Sequence, residues 1–113
     1  CPLRDVAGML RSFHYAVYSQ FFKLVHLQPE NEEFLRSWID PWFNAVRGIF
    51  MNAYLKETRE SPIIPKDQND LETLLNIYVL EKAIYELGYE VNNRPDWLEI
   101  PMKGINTILD NSK

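Results

Sequence analysis

This chain of 113 residues has one cysteine, four glycines and no run of lysine or arginine. Cys1 alone cannot close an intramolecular disulfide, so no covalent staple holds the fold. The glycines are too dispersed for a phosphate-cradling loop, and GxxxxGK[ST] does not occur. Scattered basic residues in a chain of net charge −4 argue against a nucleic-acid or anionic-membrane surface. No apolar stretch approaches the roughly 20 residues a membrane-spanning helix needs, and no signal-peptide pattern is present. A cytoplasmic protein is the default expectation. His14 and His26 lack a metal-ligand partner pattern, and Ser12 lacks a nucleophile-elbow context. Cys1, at the chain end, is a poor nucleophile. No metal and no catalytic machinery are expected within these residues.

What is present is a folding composition. The chain is 46% hydrophobic and 13% aromatic, enough for one domain with a modest core. It opens on Cys, not Met, and runs at once into the helical pattern PLRDVAGMLRSFHYA. We therefore expect a single all-helical domain over 1–113 that is part of a longer protein.

Periodicity predicts an all-α fold of about four helices. The first covers roughly 3–27, with Val6, Met9, Leu10, Phe13, Val17, Phe21 and Leu24 on its apolar face. The second covers 31–57, capped by Asn31 and kinked at Pro41 in preference to a new helix begun by Asp40 and Pro41, with Phe34, Trp38, Trp42, Val46, Ile49 and Tyr54 inward. The third covers 70–92, started by Asn69 with Glu72 in a capping box, and its core stripe is Ile77, Leu80, Ile84, Leu87 and Val91. The last covers 101–110 and opens on Pro101. Trp38, Trp42 and Trp97 are expected in the core. Gly8, Gly48 and Gly88 fall inside helices, where each costs about 1 kcal/mol against Ala, so close approach by another helix, or by another part of a larger protein, is expected there.

The segment EKAIYELGYEVNNRPDWLEIP, residues 81 to 101, carries the chemistry. On a helix Lys82, Tyr85, Glu86 and Tyr89 share one face. Glu86 and Glu90, one turn apart, repel unless compensated, and Lys82 and Arg94 stand at the right spacing to do so within the helix. One reading is a solvated or tertiary salt ladder. The other is a face for a polyhydroxylated ligand, because carboxylate, ammonium and phenol between them satisfy a hydroxyl as donor and acceptor. Asp5 and Arg11 lie six apart and off a common face, each able to reach another partner. Arg11 is either a snorkelling surface residue or a buried ion-pair member.

PLRDVAGMLRSF near one end and EKAIYELGYEVNNRPDWLEIP near the other resemble the C-terminal part of bacterial maltokinases, especially those fused behind a trehalose synthase. The two motifs bracket nearly the whole chain. The resemblance implies the helical, acceptor-sugar subdomain of an aminoglycoside-phosphotransferase-like kinase. Such an enzyme transfers phosphate from ATP, with Mg²⁺, to maltose to give maltose 1-phosphate. It further implies maltose contacts at Lys82, Tyr85 and Glu86, continuing through Tyr89, Glu90 and Arg94, and a structural link to the catalytic lobe at Asp5 and Arg11. The partners implied are an N-terminal kinase lobe and a trehalose synthase domain, and the chain alone is expected to be inactive. The alternative is a stand-alone helical interaction or structural cap module. Either way, surfaces meant for a partner are expected to stay exposed as apolar patches.

Overall fold

A computed structural model of the chain describes residues 1–111, and all regular structure among them is helical. The helices are α1 (Pro2–Leu27), α2 (Glu32–Arg36), α3 (Ile39–Glu57), α4 (Gln68–Asn93) and α5 (Glu99–Asn111). Short 3-10 turns, Pro29–Asn31 and Pro95–Trp97, precede α2 and α5. No described helix is long and apolar enough to cross a membrane.

Prolines set most of the boundaries. Pro2 opens α1, where its missing N–H leaves no intrahelical bond unmade. The expected second helix is divided, and the division lies at Ser37–Trp38, not at Pro41. Pro41 has no N–H for the Ser37 carbonyl, and its ring crowds that carbonyl. The chain therefore breaks four residues upstream and restarts at Ile39, leaving Pro41 in the first turn of α3. Asn31 does precede α2, but its side chain caps nothing; its amide donates to Gln28 Oε1 at 2.8 Å.

The start of α4 differs from the Asn69 capping box in the same way. Asp67 is the cap, accepting at Oδ1 from the Asn69 and Asp70 amides at 2.8 and 3.1 Å. Both bonds satisfy orphan first-turn donors and place a negative charge at the positive helix end. Asp67→Ala should cost about 1 kcal/mol, read as a fall in the urea midpoint at unchanged slope.

The chain forms two compact units: residues 1–11 with 61–113, and residues 12–60. In the first, α4 packs on α5. Leu3, Val6, Ala7 and Leu10 of α1, Ile64 of the connector, Leu71, Leu75 and Ala83 of α4 and Ile100 of α5 are buried. Fully burying one such Leu or Ile contributes about 1.5–3 kcal/mol. In the second unit the last part of α1 meets α3 through aromatics. Phe13 meets Phe50 edge-on at 5.4 Å, and His14 lies 4.5 Å from Phe43. Arg36 of α2 sits 4.6 Å over the Phe21 ring.

Two expected core stripes are only partly inward, with Leu80 and Leu87 of α4 half-buried. In α3, Ile39 and Met51 are buried and Phe43, Val46, Phe50 and Tyr54 half-buried, while Trp38, Trp42 and Ile49 stay exposed, as does Phe34 of α2. Residues 34–54 carry apolar groups on more than one face, so periodicity alone does not choose between them. In α4, Ile77, Ile84 and Val91 are exposed, and the buried face runs through Leu71, Leu75, Ala83 and Glu90. In α1, Met9 and Leu24 also reach solvent.

Candidate functional site

The inward face of α4 carries two of its carboxylates, Glu86 and Glu90. Glu86 and Glu90 point away from the exposed Ile77–Ile84–Val91 stripe because each carboxylate has an arginine to meet. Glu86 meets Arg11 of α1. The Arg11 Nε donates to both carboxylate oxygens, at 2.9 and 3.2 Å, and Nη2 approaches Oε1 to 2.8 Å. The two side chains are 5% and 16% exposed, so Arg11 is the buried ion-pair member of the two alternatives above. Its Nη2 also donates to the Ile100 carbonyl of α5 at 3.4 Å. Gly104 makes room for that guanidinium. A Cβ there would lie 2.4 Å from Nη1 and 2.9 Å from Cζ.

Glu90 is fully buried, and Arg94, 45% exposed, closes over it from the helix end. Nε and Nη2 of Arg94 donate to the two oxygens at 2.9 and 3.1 Å, the parallel fork geometry that makes arginine–carboxylate pairs strong. The Arg94 guanidinium also stacks 4.1 Å over Trp97 and lies 5.6 Å from the Tyr89 ring. Trp97 is half-buried beneath it. Among the described residues no buried side-chain nitrogen or oxygen lacks a partner.

The expected compensation of Glu86 by Lys82 is not made. An exposed Lys–Glu pair at i,i+4 with lysine first is worth only a few tenths of a kcal/mol. A desolvated charge-assisted bond from Arg11 is worth about 1.5–3 kcal/mol, so Arg11 wins the carboxylate. Lys82 lays its chain end against α1 at Gly8, with Cε and Nζ 3.5 and 3.6 Å from where a Cβ would stand. It makes no ion pair or hydrogen bond among the described residues. Since no unpartnered nitrogen is buried, its ammonium reaches solvent.

The six stripe residues thus separate into two groups. Glu86 and Glu90 form an internal frame, with Glu90 enclosed under the half-exposed Arg94. Lys82, Tyr85 and Tyr89 are the groups a ligand can reach, Tyr85 being 75% exposed and Tyr89 exposed as well. Asp5 stays exposed in the first turn of α1, a favourable place for a negative charge, and has no ion pair or hydrogen bond among the described residues. Gly48 and Gly88 have nothing within 4 Å of an added Cβ, so no described helix of this chain approaches closely there. The close approach occurs at Gly104. Neither Gly104 nor the Ile100 carbonyl carried a signal in the sequence, because their partner Arg11 lies some 90 positions away and periodicity reports only neighbours along one helix.

No protein-family model matches the chain, and no solved structure matches it.

Proposed function

We propose that this chain is the acceptor-sugar subdomain of a maltokinase-like enzyme, and that the Lys82–Tyr85–Tyr89 face of α4 contacts maltose. The observation that carries this reading is a solvent-facing ammonium beside two exposed phenols on one rigid helix face. Ring faces cover the C–H surface of a sugar, while phenol and ammonium bond its hydroxyls. The two arginine–carboxylate pairs behind them fix the helix, which lowers the ordering cost of binding. Among the described residues no group of three or more His, Cys, Asp or Glu stands where it could hold a metal ion. On this reading ATP, Mg²⁺ and phosphoryl transfer belong to a kinase lobe supplied by the rest of the enzyme. A trehalose synthase partner and a cytoplasmic location go with the same reading.

Saturation-transfer NMR on maltose tests it. The wild-type chain should give a signal at millimolar sugar. Lys82→Met and Tyr85→Ala should each weaken binding by about tenfold, the loss of one charge-assisted bond or one stacking face. Tyr85 is exposed, so its variant should melt with the wild type. Equal signals from wild type and both variants would refute the site.

A second reading, a helical interaction module, is favoured by the exposed Trp38–Trp42–Ile49 and Ile77–Ile84–Val91 faces. On that reading maltose gives no signal at all.

A further inference from the structure

We infer that Arg11 is a positioning residue for the sugar-facing stripe: by holding Glu86 as its own counter-ion, it keeps the Lys82 ammonium available to a ligand. The inference rests on the proposed sugar face for its biological meaning, but the charge competition behind it is independent of any ligand. Three observations combine. Lys82 and Glu86 stand one helical turn apart, the spacing at which an ammonium and a carboxylate can reach each other. Glu86 is instead bound on both oxygens by Arg11, which is itself held by the Ile100 carbonyl and seated on Gly104. Lys82 is left without a partner among the described residues, its chain end resting on α1 at Gly8.

An ammonium held by a carboxylate has its position and one of its three donors committed to that pair, which leaves it less free to meet a sugar hydroxyl. Arg11 removes the competitor. Arginine suits the task because its planar fork takes both carboxylate oxygens at once, which the point charge of lysine does not. Removing Arg11 leaves Glu86 with a single cation within easy reach on its own helix, and that cation is Lys82.

The test is the rate of Lys82 acetylation by acetic anhydride in the whole chain, read by mass spectrometry against exposed Lys23 as internal reference. Three variants are compared with the wild type: Arg11→Met, Arg11→Met with Glu86→Gln, and Glu86→Gln alone. In Arg11→Met the freed carboxylate pairs with Lys82, and its relative rate should fall several-fold. The double variant removes the competing carboxylate and should restore the wild-type rate to within about twofold. Glu86→Gln alone should leave the rate unchanged, since in the wild type Glu86 does not engage Lys82. A rise in that variant would overturn the inference even if Arg11→Met does not fold.

A several-fold rise in Glu86→Gln, no fall in folded Arg11→Met, or no recovery in the double variant would each overturn the inference. Maltose binding, measured on the same proteins, should follow the same order. If the Lys82 rates behave as stated and wild-type maltose binding is absent, the sugar-face reading fails while the Arg11–Glu86–Lys82 coupling stands. If maltose binds and the rates do not respond, the coupling fails and the sugar face survives.

Discussion

Arg94→Met should destabilise the chain by about 3 kcal/mol, although Arg94 is nearly half exposed. Substitutions at such positions usually cost less than about 0.5 kcal/mol. The difference comes from Glu90, which is fully enclosed on the inner face of α4 and takes both of its fork bonds from Arg94. Methionine replaces the hydrocarbon stem but leaves a buried carboxylate without its bidentate partner, and desolvated charge is the costly part of a broken pair. Glu90→Gln should be milder, about 1 kcal/mol, because a neutral amide still accepts a hydrogen bond and no charge is stranded. Thermal melts of the two variants check the ordering. An Arg94→Met chain as stable as wild type would mean that the pair is held only loosely.

Gly104→Ala should cost about as much, and by a different route. Alanine is the better helix former by about 1 kcal/mol, so propensity alone predicts stabilisation. At this position its Cβ would stand 2.4 Å from the Arg11 guanidinium, which must withdraw. Withdrawal loosens the Arg11 hold on Glu86 and on the Ile100 carbonyl together. We expect a net loss of about 3 kcal/mol, or a melting temperature lower by about 10 °C. Gly48→Ala and Gly88→Ala are the controls. Nothing lies within 4 Å of either added Cβ, and each should stabilise by about 0.5–1 kcal/mol. A Gly104→Ala variant that gains stability like its controls would show that Arg11 has an alternative seat.

The all-α class and the extents of α1 and α4 were legible in the sequence because both helices are long and strongly patterned. The break before α3 was misplaced because proline acts on the carbonyl four residues upstream, so the visible residue and the site of the break differ. Faces were legible only where one side of a helix is polar. On α4 the isoleucines and valine at 77, 84 and 91 look like a core stripe, yet Arg11 and Arg94 hold the glutamates inward and that stripe faces solvent. The Glu90–Arg94 pair could be read at i,i+4 spacing and is formed as read. The Arg11–Glu86 pair could not, since nothing local joins residues 75 positions apart. What that long-range pair changed is the identity of the accessible groups: Glu86 and Glu90 belong to the frame, and Lys82, Tyr85 and Tyr89 face outward.

An amide-shift map of the ¹⁵N-labelled chain on titration with maltose tests the sugar-face reading most directly. The account predicts saturable shifts clustered around Lys82, Tyr85 and Tyr89 on α4, with the exposed aromatic face of residues 34–49 unmoved. Shifts confined to that aromatic face, or none at any sugar concentration, would contradict it.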